Sequence, residues 1–214
     1  MKVRTLTVGA FEENAYLVID EAAGHAVLID PGDEASRLLA AVDEAGAVLD
    51  AIWLTHSHVD HVGAIAAIER ERPVPVYMHP DAEPLYRQAA EHARLFGLQV
   101  EQPPPADRAL AEGDVLRVGR LEFGVMLTPG HAPGHVVIHG QGVAFVGDCL
   151  FAGSIGRTDL PMSSGADLAR SLTRICALGD DTVVYPGHGP PTTIGRERVA
   201  NPFLNGTARV VGSP

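Results

Sequence analysis

The sequence predicts an α/β fold in which two β-sheets pack together beneath outer helical layers. Three observations carry that expectation. Short apolar runs of strand length alternate with longer stretches of helical character, and the strands cluster in each half of the chain with the helices outside them. The chain's 214 residues, 46% of them hydrophobic, suffice for one well-buried core, where two full domains would be cramped. One domain over residues 1–214 is therefore expected.

Taken in order, VRTLTV, AYLVID and HAVLID read as strands. The last runs into a Pro-Gly-Asp turn that can also cap a helical stretch over residues 34–45. Next come the strand AIWLT, the helical VGAIAAIERER, the strand VPVYM and a long amphipathic stretch over residues 81–98. EQPPPADRAL is the one proline-rich segment and reads as a stiff surface connection, not a domain linker. Residues 114–118 and 121–127 make a strand pair, HVVIHGQGVAFVGD a hairpin, DLARSLTRICAL a helix and TVVYPG a strand. No internal repeat or low-complexity segment is present in the sequence.

Charge removes several classes of partner. A formal charge of -11 and a pI near 5.3 oppose binding to a phosphate backbone or an anionic membrane, so neither nucleic acid nor membrane is an expected partner. The first twenty residues lack the uninterrupted apolar core of a signal peptide, and no 18-residue apolar span occurs, so a soluble cytoplasmic protein is expected. Cys149 and Cys176 fit no CxxC spacing and read as reduced structural thiols. Lys2 is the only lysine, which excludes Schiff-base chemistry on an internal one. There is no GxSxG for a serine nucleophile, and GQGVAFVG lacks the dinucleotide-binding spacing and reads as a hairpin turn.

The chemistry concentrates in LTHSHVDHVG, residues 54–63, where three histidines and an aspartate occupy six positions after a buried strand. Other strands also run into potential ligands. AIWLT leads to His56, GVMLTPG to His131, VAFVG to Asp148 and VVYPG to His188. Strand ends are where sheet-and-helix folds collect functional groups, because the framework fixes them while the loops stay adaptable. His56 and His58, two apart on an extended backbone, leave the same face and can serve one ion. Asp60 and His61 lie just beyond, where the chain turns toward a helix, and can point to a second.

THSHVDH, TPGHAPGH, GDCLFAGSIGRTDLP and PGHGP resemble, in order and spacing, the metallo-β-lactamase-fold hydrolases. GSIGRTD and HGPPTTIGRERVANPFL are similar to the short glyoxalase II-like, or hydroxyacylglutathione hydrolase-like, subgroup. The resemblance implies a four-layer αββα sandwich with the site along the edge where the loops of both sheets meet. It implies one divalent ion on His56, His58 and His131, a second on Asp60, His61 and His188, and Asp148 bridging them. It further implies hydrolysis of an acyl thioester such as S-lactoylglutathione by a metal-bound hydroxide, which Asp60 helps to orient. Arg157 stands where longer relatives contact the glutathione part of the substrate; a structural salt bridge is the other reading. Only 26 residues follow His188, too few for the separate C-terminal glutathione-binding domain of those relatives.

Imidazole and carboxylate ligands suit zinc first, with iron or manganese compatible. Zinc lowers the pKa of bound water toward about 7, and two ions roughly 3.5–4 Å apart can hold a hydroxide while polarising a carbonyl. A thiolate with a parent pKa of about 8.5 leaves without a strong general acid, so thioesters suit the site. The alternative is a mononuclear iron persulfide dioxygenase of the same fold, which shares GRTD and uses the His56, His131 and Asp148 positions. His25, His79, His92 and His139 read as surface or turn residues, and His135 as support for the ligand loop. Cys149 is expected to be a buried thiol pointing away from the metals. Asp30 is either a turn former or a hydrogen-bond partner of the histidine loop.

Overall fold

The layering is visible in one strand, β2 (Glu13–Asp20). Strand side chains alternate between faces. Tyr16 and Val18 enter one buried cluster, whereas Ala15, Leu17 and Ile19 enter another. A strand apolar on both faces belongs between two layers.

The computed structural model describes residues 1–210 and extends that logic to the whole chain. The first sheet has the order β1 (Lys2–Val8), β2, β3 (His25–Ile29), β4 (Val48–Trp53), β5 (Val76–Met78) and β6 (Arg108–Ala109). Its first three strands are antiparallel, and β3 to β6 run parallel. In the second sheet, β7 (Val115–Val118), β8 (Leu121–Leu127), β9 (Val136–Gly140) and β10 (Val143–Gly147) form an antiparallel meander. Two further strands extend it past β10. A short hairpin, β11 (Leu150–Phe151) and β12 (Ser154–Ile155), precedes them; β13 (Val183–Pro186) then pairs parallel to β10, and β14 (Thr192–Thr193) closes the edge.

Between the sheets lies a core that includes Tyr16, Val27, Ile29 and Trp53 from the first and Val118, Phe123, Ile138 and Phe145 from the second. Helices cover both outer faces. α1 (Ala35–Glu44) buries Leu38, Leu39 and Val42 against the first sheet, joined by α2 (Val59–Val62) and α3 (Ile65–Glu71). On the far side α6 (Gly165–Cys176) buries Leu168, Leu172 and Ile175 beside Val137, Ala144 and Val146. The expected αββα sandwich is the observed one. Among the described residues no helix is long and apolar enough to cross a membrane.

Two helical expectations are corrected. VGAIAAIERER does not form one helix, because the chain breaks between α2 and α3. At the break the backbone crosses the Pro31-Gly32 turn: a Cβ on Gly63 would sit 2.4 Å from the Gly32 carbonyl, and Ala64 N–H donates to the Pro31 carbonyl at 3.1 Å. The stretch 81–98 is likewise divided into a 3₁₀ turn at Pro80–Ala82, α4 (Glu83–Tyr86) and α5 (Ala89–Leu95). Pro80 and Pro84 lack the N–H that a continuous helix would use, and Gln88 leaves helical geometry. α7 (Ile194–Ala200), capped by the Thr193 hydroxyl, was not expected, and neither were β11, β12 and β14.

Trp53 is buried and meets Phe123 edge-on across the sheets, with ring centroids 5.9 Å apart. Trp53→Ala is expected to cost about 3–5 kcal/mol of stability, read by denaturant unfolding. A loss below about 1 kcal/mol would show that the inter-sheet core repacks around the vacancy.

Candidate metal centre

The seven residues singled out in the sequence meet at one edge of the sandwich, where strands of both sheets end. β4 ends three residues before His56, β8 four before His131, β10 one before Asp148 and β13 two before His188. His56, His61, His131 and Asp148 are buried, while His58, Asp60 and His188 are half-buried.

Three groups of potential ligand atoms result, the two expected sets and a third of Asp30, His56 and His61. Nitrogens of His56, His58 and His131 lie within 4.8 Å of one another, with His131 Nε2 and His58 Nδ1 2.9 Å apart. Ligand atoms of Asp60, His61 and His188 form a second such group, with His188 Nε2 3.3 Å from Asp60 Oδ2. Asp148 stands between the sets. Its Oδ2 is 3.5 Å from His131 Nε2 and 3.6 Å from His188 Nε2, and its Oδ1 is 3.5 Å from His61 Nε2.

Outer partners fix four of the five rings, those of His56, His61, His131 and His188. Asp30, at a positive φ of 49° after β3, accepts from Thr55 N–H at 2.7 Å and from the Thr55 hydroxyl at 2.6 Å. The same carboxylate is 3.2 Å from His61 Nδ1, and the Thr55 hydroxyl is 3.1 Å from His56 Nδ1. Asp30 is therefore the partner of the histidine loop. His131 Nδ1 donates to the Arg157 carbonyl at 3.0 Å, and His188 Nδ1 to the Phe11 carbonyl at 3.1 Å. From β2, Asn14 donates to the carbonyls of Pro186 and Gly189, and Tyr16 donates to that of Pro186, which holds the His188 loop. Gly187 has no room for a side chain, since a Cβ would lie 2.1 Å from Asp148 Oδ1.

The electrostatics favour a cation. Burial lowers the pKa of His56, His58 and His131, so these imidazoles are neutral, with lone pairs free to coordinate. For His61 burial acts in the same direction, but Asp60 and Asp148 outweigh it and raise the pKa. For Asp148 burial alone would raise the pKa, but His61, His131 and His188 outweigh it and hold the carboxyl low. The buried atoms His56 Nε2, His61 Nε2 and Asp148 Oδ1 make no hydrogen bond among the described residues. Buried polar atoms of ligand type without hydrogen bonds are costly unless partnered, and a metal ion fits them.

Arg157 turns its side chain outward, paired with Asp159 at 2.6 and 2.8 Å, while its carbonyl holds His131. His135 is buried at an angle of 23° to the His56 ring, bonds the Thr128 hydroxyl and accepts from Asp148 N–H. Cys149 is a buried thiol facing the Thr128 carbonyl, and burial pushes its pKa up to about 12. His79 caps the 3₁₀ turn, and His25 pairs with Asp50. Sequence reasoning missed Glu13, which is buried with neither carboxylate oxygen hydrogen-bonded and lies 3.7 Å from His61 Nδ1. It also missed Asn14, Tyr16 and Thr55. A buried Glu-Asn pair opening an otherwise apolar strand was the one signal available for the first two.

An αββα sandwich with a His/Asp cluster at the joint edge of its sheets defines a metallohydrolase class. Residues 8–188 match the model of the metallo-beta-lactamase superfamily. The chain belongs to that superfamily. It is similar to hydroxyacylglutathione hydrolase GloC of Haemophilus influenzae, at 38% identity over 96% of this chain and 99% of the relative. Among solved structures it is similar to TTHA1623 in a di-iron-bound form, at 45% identity and TM-score 0.86, covering 94% of this chain and all of that one. The B3 metallo-beta-lactamase BLEG-1 follows at 37% identity and TM-score 0.86, over 95% and 99% of the two chains. ETHE1 from Myxococcus xanthus shows 32% identity and TM-score 0.82, over 96% and 85%.

Asp30→Ala is expected to lower metal affinity about 10- to 100-fold, because His56 and His61 lose their orienting partner. Elemental analysis after dialysis against graded chelator checks this. Retention of the full metal content would reduce Asp30 to a turn former.

Proposed function

We propose that the protein is a dinuclear metal-dependent hydrolase of small-molecule acyl thioesters in the cytoplasm, with S-lactoylglutathione or a related hydroxyacylglutathione as the first substrate to test. The observation that carries this reading is the second ligand group, Asp60, His61 and His188, beside the His56, His58 and His131 group. The similarity to GloC over nearly the whole of both chains supports it. Two divalent ions, zinc in the first instance, would supply an acidified water as nucleophile and polarise the substrate carbonyl.

The chain's residues have separable roles in this proposal. His56, His58 and His131 would hold one ion and Asp60, His61 and His188 the other, with Asp148 between the two sets. Asp60 would also help to orient the nucleophile. Asp30 and Thr55 keep the Nε2 atoms of His56 and His61 directed inward. Arg157 exchanges Asp159 for a carboxylate on the thiol arm of the substrate, since both lie exposed beside the His131 loop.

Thiol release from S-lactoylglutathione is expected from zinc- or iron-loaded protein, and Asp60→Ala or His61→Ala should reduce it by at least about 100-fold. An oxygen electrode with glutathione persulfide tests the mononuclear iron dioxygenase reading on the same preparations. Persulfide-dependent oxygen uptake without thiol release would overturn the hydrolase proposal. Arg157→Ala is expected to raise KM more than it lowers kcat, because a remote carboxylate contact acts alike on the ground and transition states. An unchanged KM with intact metal content would leave Arg157 with its backbone role alone.

A further inference from the structure

Two large aromatic side chains stand exposed beside the second ligand set. Phe11, in the turn between β1 and β2, is 41% exposed, and Phe96, immediately after α5, is 59% exposed. Their rings meet edge to face with centroids 5.5 Å apart, so they form one apolar surface. That surface is tied to the centre, because the Phe11 carbonyl accepts from His188 Nδ1 at 3.1 Å. A third aromatic, Phe151, approaches the His188 ring with centroids 6.1 Å apart. The His131 side of the centre differs: there the Arg157–Asp159 ion pair is exposed. The surroundings of the centre thus have an apolar side at His188 and a charged side at His131.

A thioester bound by its carbonyl sends two arms away from the reacting carbon. We propose that Phe11 and Phe96 form the subsite for the acyl arm, and that the substrates favoured by this chain carry an apolar acyl group instead of a short hydroxyacyl one. This rests on the thioester reading and exchanges the hydroxyacyl group named there for an apolar one. The charged side suits an ionised thiol component such as the glutathione peptide, which leaves the acyl group to the aromatic pair. Exposed Phe rings gain by covering apolar atoms, whereas a lactoyl hydroxyl placed against them would lose hydrogen bonds to water.

The experiment is a series of glutathione thioesters with acetyl, lactoyl, butyryl and hexanoyl groups, compared by kcat/KM in the metal-loaded wild type and in Phe11→Ala, Phe96→Ala, the double variant and Phe96→Leu. Each added methylene should raise kcat/KM about two- to fourfold in the wild type, the range for partial to full burial. The hexanoyl-to-acetyl ratio should then be on the order of twentyfold or more. It should fall in each alanine variant, approach unity in the double variant and recover in part with Phe96→Leu. Calorimetric titration with hexanoate and acetate gives a readout independent of turnover: tighter hexanoate binding, with a negative heat-capacity change, should be lost with the rings. Thiol release that is flat or falls with chain length, or a ratio unmoved in the double variant, overturns the acyl assignment alone. No thiol release from any member of the series overturns the thioester reading and this assignment with it.

Discussion

The Asp30 carboxylate is the constraint on which the metal centre depends. Residues 54–58 lie outside helix and strand, so no backbone ladder holds the first two histidines in place. The two Asp30 oxygens take over that role by accepting from the Thr55 amide and hydroxyl and lying against His61 Nδ1. Because the Thr55 hydroxyl in turn meets His56 Nδ1, one buried carboxylate sets the orientation of two neighbouring rings, one from each ligand set. Networks of this kind are rigid when every member is satisfied, and here the Nδ1 atoms of His56 and His61 are engaged while their Nε2 atoms make no hydrogen bond.

That arrangement has an energetic counterpart. The centre crowds neutral imidazoles, a histidine whose pKa is raised, and carboxylates into a region largely shielded from water. Without a cation its buried acceptors face one another, and the deficit must be met by the three apolar clusters. Metal binding and folding are therefore thermodynamically linked, although the scaffold around the centre is a conventional packed core.

The fold class was legible because the strands are apolar on both faces, as β2 illustrates with Tyr16 and Val18 on one side and Leu17 and Ile19 on the other. The ligand candidates were legible because their residue types are unusual at strand ends and four of them crowd into HSHVDH. What could not be read locally were features defined by distant partners. The helix break at Gly63 comes from its approach to Gly32, and the roles of Asn14 and Tyr16 come from carbonyls 170 or more positions away. Asp30 is intermediate, since a bond to the histidine loop was one of its two readings, and the sequence held nothing to choose it over a plain turn or to point to Thr55. The hairpin β11–β12 and the closing strand β14 have only two residues per strand, too few for a period to emerge.

The bonds from Asn14 to the Pro186 and Gly189 carbonyls also bear on how the protein is made. They close a loop of 172 residues or more, so the seat for His188 is assembled only when β2 finds the carbonyls at the end of β13. At about 5–20 residues per second, synthesis takes roughly 10–40 s to reach that point. For the later part of that interval the HSHVDH histidines are in the emerged chain while the complete centre is not. Selection of its metals thus falls to a chain in which residues 186–189 have already emerged, and a shorter nascent chain has no complete centre with which to choose.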